Sequence, residues 1–320
     1  MGTEKELPNV DLVVTPAKDA GLWEQIMEKC VRTEGWVFAP SDYSTWLDAF
    51  EEFYYYFALD KETKKAVGSL CFGRYDALSG KPEESLWAVG MYYVDPEYRG
   101  KGLGAFLFDK MMAKIGDDNA VLNGVLKMAP RYSATYGFDK ILSEGDPHPY
   151  YQVDCKKLVV PARDEDVVTK DYREVSADEV DAWDRAEIMP GYDRSKYLRL
   201  LITSPEALTM VAYRDEKIVG LLCVRETGKK LSAGPFYADD MAVARTLVHD
   251  LLKRKEGWMD FTSFGGTTPS CCQMAKELFE ELNNGEPCGH GFVYLQFTKE
   301  LVHAAYEKTL AITDCAMSYV

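Results

Sequence analysis

The chain has 320 residues, 47% of them hydrophobic and 28% charged, with a formal net charge of −15. That is long enough for two domains of ordinary size, each with a core of its own. The acidity argues against a nucleic-acid partner, because a phosphate backbone demands a basic face. No apolar run approaches the roughly 20 residues of a membrane helix, so no membrane partner is expected either.

In chain order, the first residues, MGTEKELPNVD, are charged and lack the apolar block of a secretory leader. Glu6 stands where a myristoylation signal has Ser or Thr, so a cytoplasmic protein is expected. Residues 20–31 place Leu22, Ile26, Met27 and Cys30 at helical spacing, and residues 40–50 read as a second short helix with Ser41 as its N-cap. Three strands follow at 53–60, 66–76 and 85–94, the third apolar on both faces and therefore central in a sheet. The run Tyr54–Tyr55–Tyr56 reads as a packed strand with alternating faces.

Leu103, Leu107 and Met111 then form a helical stripe that Gly116 terminates. A strand at 119–126, a short helix at 129–138 and a closing hairpin from 138–142 and 150–160 complete the first half. Residues 161–172 are charged and without apolar periodicity, which marks a boundary. Beyond them the element order returns: helices at 176–188 and 194–202, strands at 208–215, 217–226 and 229–240, a helix at 241–255, a strand at 258–264 and a helix at 272–282. The α/β (α+β) alternation thus occurs twice, with no repeat at fixed period. The eight cysteines include no C-x-x-C pair, and neither Cys271–Cys272 nor the Cys288-Gly289-His290 cluster supplies four ligands. Reduced thiols and no metal are expected.

Residues 96–105 read PEYRGKGLGA, between a buried strand and a helix. Amides at a helix start lack internal partners and point outward, where the helix dipole favours an anion. Glycines let a phosphate come close, and Arg99 and Lys101 make this turn locally positive in an acidic protein. The plain alternative is a turn that caps a helix. The order is neither that of a P-loop nor that of a dinucleotide fold. Arg99, Gly102 and Gly104 stand instead as R-x-x-G-x-G behind a strand ending VDPEYRG. This resembles the acyl-CoA pyrophosphate loop of the GNAT superfamily (Gcn5-related N-acetyltransferases).

The resemblance implies two GNAT-like domains, residues 1–160 and 161–320, each a mixed, mostly antiparallel sheet flanked by helices. It implies acetyl-CoA, or another acyl-CoA, as co-substrate. Amides of Arg99, Gly100, Lys101, Gly102, Leu103 and Gly104 would hold the pyrophosphate. Main-chain groups of Tyr92, Tyr93 and Val94, near a bulge, would pair with the pantetheine arm, and one amide would polarise the thioester carbonyl. An amine would attack directly, without a covalent enzyme intermediate.

Residues 128–140 resemble the family's closing helix, with Ala129 and Gly137–Phe138 at matching positions. Ser133 stands where the family has a tyrosine that protonates the thiolate, and Leu126 where it often has asparagine. Tyr132, one residue away, and Ser133 are therefore both candidates for the acid. His148, placed by the resemblance in a loop beside the acceptor pocket, is the candidate base, or else a surface histidine without a task. In the second half no such loop occurs, and Asp239–Asp240 stand where phosphates would lie, good N-cap residues that would repel CoA. This resembles tandem GNAT proteins with one active site. An N-acyltransferase acting on a small amine or an exposed protein amine is expected. The alternatives are a non-catalytic CoA-binding protein and a scaffold module whose loop only caps a helix. The acceptor, the acyl length and the oligomeric state are left open.

Overall fold

Apolar side chains alternating along the strands set up two faces from the start. The computed structural model describes residues 9–15 and 20–320; residues 1–8, which carry the reading of a leader and of Glu6, lie outside them. Strand β1 (Val10–Thr15), helices α1 (Ala20–Glu34) and α2 (Asp42–Ala49), and strands β2 (Phe53–Asp60), β3 (Ala66–Tyr75) and β4 (Leu86–Val94) come first. Helix α3 (Leu103–Ile115), strand β5 (Asn119–Val125), helix α4 (Ala129–Tyr136) and strands β6 (Lys140–Ile141) and β7 (His148–Asp154) follow. The second half contributes β8 (Val168–Asp171), α5 (Ala177–Trp183), α6 (Ser195–Ile202), β9 (Ala207–Arg214), β10 (Lys217–Thr227) and β11 (Lys230–Ala238). It ends with α7 (Met241–Arg254), β12 (Ser263–Thr267), α8 (Gln273–Leu282), β13 (Gly289–Phe297) and β14 (Thr309–Ala311).

Phe53, Tyr55 and Phe57 of β2 join one core, and Tyr56 and Ala58 join another on the opposite face. The second of these cores lies under α3 and α4, and includes Leu103, Leu107, Phe108, Met111 and Tyr132. The first is shared between the halves: Trp23, Trp46 and Tyr75 meet Tyr197, Leu221 and Tyr237 in it. A third core lies under α7 and α8. Burial on both faces explains why β3 and β4 read as continuous apolar runs.

The strands form one sheet in the order β1-β2-β3-β4-β5-β13-β7-β12-β11-β10-β9-β8. The expected closing hairpin does not form. Both β6 and β7 pair with β13, which comes from the far end of the second half and also pairs with β5, from Val293↔Val125 to Phe297↔Val121. On its other side β7 pairs with β12. The halves thus interleave strands across their junction. Period-two alternation tells which way side chains face and is silent about which strand lies alongside.

Smaller differences have local causes. Part of the charged 161–172 stretch is edge strand β8, paired to β9. Ser41 is itself helical in φ and ψ, and its hydroxyl donates to Glu206 rather than capping α2. The strand expected at 258–264 is displaced to β12, behind a turn at Trp258–Asp260.

Candidate functional site

Gly100 (φ 74°) and Gly102 (φ 91°) are left-handed, a backbone region open mainly to glycine, and Gly102 starts α3 without a side-chain cap. Phe106 N–H donates to Gly102, but the amides of residues 100–105 have no acceptor among the described residues. A Cβ on Gly100 would meet open space, and one on Gly104 would lie 2.0 Å from the Tyr92 hydroxyl oxygen. Six amides without an acceptor at the head of a helix, on a turn whose left-handed glycines disfavour a side chain, fit a diphosphate. Lys101 is exposed above the Tyr98 ring. Leu103 is buried and anchors the turn on the core. Arg99 turns back, Nε donating to Val94 O at 2.8 Å and Nη2 to Glu34 Oε1 at 2.5 Å.

Beside the cradle, β4 and β5 pair in parallel only from Leu86↔Asn119 to Val89↔Leu122. Beyond that they splay, because β5 continues against β13. Met91 takes φ 50° at a bulge, its carbonyl accepting from the Ser69 hydroxyl at 2.7 Å. Among the described residues, one edge of β4 from Gly90 onward is consequently without a strand neighbour, a geometry that an extended amide-bearing chain can join. Of the three residues read for that role, Val94 has its carbonyl engaged by Arg99. The Tyr93 hydroxyl lies 3.3 Å from Thr33 Oγ1, and Tyr92 turns its ring onto Phe108.

The splay opens into a cavity of about 390 Å³ between the halves. Its walls include Trp36, Phe38, Trp46, Tyr92 and Tyr132 from the first half, and Arg225, Lys230, His290 and Phe292 from the second. Asp314, Cys315 and Ala316 close one side. The stretch carrying them packs hard on the bulge: a Cβ on Gly90 would sit 2.2 Å from Ala316 O. Asp314 holds that stretch in shape, Oδ1 accepting from the amides of Ala316 and Met317 and Oδ2 from Trp46 Nε1 and the Tyr197 hydroxyl. Asp42 and Arg225 form a buried ion pair across the halves. Burial pushes the Asp42 carboxyl up while Arg225 pulls it back. Desolvation pushes the Cys315 thiol up to about 12, so it stays protonated and a poor nucleophile at neutral pH.

The three residues read as acid or base separate here. Tyr132 lines the cavity, stacked on Phe108 at 5.2 Å and edge-on to Tyr92 at 6.1 Å, and its hydroxyl makes no hydrogen bond among the described residues. Burial raises its pKa, which keeps it a proton donor at neutral pH. Ser133 does not line the cavity: its hydroxyl donates to Phe138 O and accepts from Gln296 Nε2, both at 2.9 Å. His148 is not on a surface loop. It opens β7, is fully buried, and accepts from the Ser270 amide at Nδ1 while Nε2 has no hydrogen-bond partner among the described residues. Burial brings its pKa down to about 4, so it is neutral at pH 7 and away from the cavity wall.

In the second half the equivalent slot is filled. Where β11 and β12 part after Ser232↔Gly265, β14 fills the edge by pairing Phe236↔Ala311 and Tyr237↔Thr309. Asp240 caps α7, accepting from Val243 N at 3.0 Å and pairing with Arg214, and Asp239 pairs with Lys308. That helix start is already capped, and both of its carboxylates are ion-paired.

A family model described as "Protein of unknown function (DUF1248)" matches residues 7–186, more than half of the sequence. The chain belongs to that family. A second model, "Acetyltransferase (GNAT) domain", matches residues 184–263, in the half without the cradle. A curated relative, the uncharacterized protein F36G3.2 of Caenorhabditis elegans, is 26% identical over 124 residues. The match spans 38% of this chain and 37% of that protein's length. A Pyrococcus horikoshii protein assigned as an acetyltransferase superposes with TM-score 0.68 at 14% identity, covering 96% of this chain and 95% of the other. A tandem GNAT protein from the clavulanic acid biosynthesis pathway gives 0.60 at 16% identity, covering 90% and 98%. A GCN5-related N-acetyltransferase from Sphaerobacter thermophilus gives 0.54 at 14%, covering 93% and 98%. The fold is that of a tandem GNAT protein, of the expected α/β class.

Sequence reading missed Glu34, Asn123, Gln296 and His290. Asn123 holds the 312–320 stretch through Cys315 O and Ser318 O. Glu34 had only a weak signal, an acid followed by Gly35 at a helix end; Gly35, at φ 71°, turns the chain so that residues 36–38 line the cavity. Among the described residues no helix is long and apolar enough to cross a membrane, and no three His, Cys, Asp or Glu side chains converge as metal ligands.

Proposed function

We propose that this protein transfers an acyl group, acetyl in the simplest case, from acyl-CoA to an amine held between its two halves. The observation that carries the reading is the continuity of three features: the left-handed glycine cradle, the unpaired edge of β4, and the cavity with Tyr132 in its wall. Bound acyl-CoA supplies a thioester, whose C–S bond breaks as the amine nitrogen forms a C–N bond to the same carbonyl carbon. Amides of residues 100–104 bind the diphosphate, the Arg99 amide being taken up by Pro96 O at 3.3 Å, and the β4 edge orients the arm behind it. Tyr132 holds a proton for the departing sulfur, and the aromatic wall keeps water away. A cavity of this size between the halves supports a small amine over a protein side chain.

In this reading residues 1–160 form the GNAT unit that binds the cofactor, and residues 161–320 form the unit that closes the cavity. The eight unpaired cysteines support a reducing compartment, the cytoplasm. Calorimetry with acetyl-CoA tests the reading, followed by thiol release across an amine panel. Gly102→Asp places a carboxylate in the cradle and forces a side chain to φ 91°, so it should abolish binding. Absence of binding by the wild-type protein refutes the cofactor. Binding without thiol release with any amine leaves a CoA-binding protein.

A further inference from the structure

Three carboxylates line the cavity, and they differ in what they are free to do. Asp42 is buried, paired with Arg225 and accepting from Ala39 N at 2.8 Å. Asp314 accepts four hydrogen bonds from its own turn, Trp46 and Tyr197. Releasing either one dismantles a buried network. Glu34 is bound by two exposed partners: Oε1 accepts from Arg99 Nη2 at 2.5 Å and from Thr33 Oγ1 at 3.3 Å, while Oε2 makes no hydrogen bond among the described residues. The Glu34 side chain is 30% exposed and that of Arg99 48%. Arg99 also opens the cradle, immediately before Gly100.

We propose that Glu34 is the proton acceptor for the incoming amine, and that Arg99 is a shared cation for which Glu34 and the diphosphate of CoA compete. The inference rests on the reading above. Cofactor binding draws the guanidinium toward the phosphates and leaves Glu34 facing the amine. The amine's ammonium form passes its proton to the Glu34 carboxylate, and the neutral nitrogen then attacks the thioester carbonyl. Tyr132 gives the departing sulfur its proton and takes back the one that the attacking nitrogen sheds as the amide forms, while Glu34 releases the first proton to solvent, so charge and protons balance. The ordering has a physical advantage: the carboxylate becomes free to take a proton only once an acyl donor is in place. Exposed ion pairs are weak enough to exchange partners, whereas the Asp42–Arg225 pair is not.

The test begins with CoA alone, by calorimetry, on wild type, Glu34→Gln, Arg99→Gln and the double variant. Removing the competitor should tighten CoA binding roughly two- to five-fold, the scale of an exposed ion pair. Arg99→Gln should weaken binding, and Glu34→Gln should have no further effect on that background. Unchanged or weaker CoA binding by Glu34→Gln overturns the competition. Wild type failing to bind CoA refutes the proposed function instead, so the two failures are distinct. With whichever panel amine is turned over, Glu34→Gln should lower kcat about 100-fold or more, with Glu34→Asp recovering part of it. Full activity in Glu34→Gln, or an equal loss confined to His290→Asn on the same wall, overturns the assignment of the proton acceptor.

Discussion

Replacing His148 by Gln should flatten the acid limb of the stability profile. The imidazole is fully buried, its Nε2 has no hydrogen-bond partner among the described residues, and its pKa falls from the ordinary 6.5 to about 4. Above pH 6.5 neither the folded nor the unfolded chain protonates this group. Between 6.5 and 4 the unfolded chain takes up a proton that the folded chain refuses, so stability drops as pH falls, and the loss is complete below 4. At about 1.36 kcal/mol per unit, going from pH 7 to pH 5 costs about 2 kcal/mol, and the whole window about 3 kcal/mol. Gln keeps an acceptor for the Ser270 amide and does not titrate. Urea unfolding of both proteins at pH 7 and pH 5 reads the difference, since every other titrating group is common to the two. Wild type should lose about 2 kcal/mol more than His148→Gln. Equal losses would refute the burial argument, and with it the placing of His148 outside the chemistry.

Tyr132→Phe should cut turnover roughly 100-fold or more while leaving CoA affinity intact. Ser133→Ala should leave turnover alone and cost about 1 kcal/mol of stability through its lost bonds to Phe138 and Gln296; the reverse pattern would exchange their roles. Arg225→Met strands the buried Asp42 and should destabilise the protein by about 3–5 kcal/mol, with Asp42→Asn recovering part of that in the double variant. An intact profile in urea would show the pair to be dispensable. Residues 1–160 expressed alone lack the β13 strand that lies between β5 and β7. They should show no cooperative unfolding transition, and a sharp two-state melt would contradict the interleaved sheet.

Most elements were legible because their causes are local. Phe53–Asp60 alternates between two cores, Leu103, Leu107 and Met111 repeat at helical spacing, and Gly116 stops α3 at φ 66°. The cradle was legible for the same reason: the left-handed turn at Gly100–Gly102 and the helix behind it are encoded within ten residues. The cap at Asp240 is equally local. His148 was misplaced because burial is a property of what packs around a residue. Ser133 and Tyr132 were adjacent in sequence and inseparable there, and Gln296, 163 residues from Ser133, separates them by occupying the serine hydroxyl.

The α/β alternation and the left-handed glycine turn at the head of α3 were thus set by the sequence, because both follow from backbone preferences and side-chain period. Only the tertiary structure decided strand partnership. It set β13 beside β5 and left the edge of β4 open, and it closed the matching edge of β11 with β14. The cavity wall, with Glu34, Arg225 and Asp314 brought from distant parts of the chain, is likewise a tertiary product. The physical reason is that a strand's pattern specifies its faces, whereas its neighbours are chosen by the packing of the whole chain.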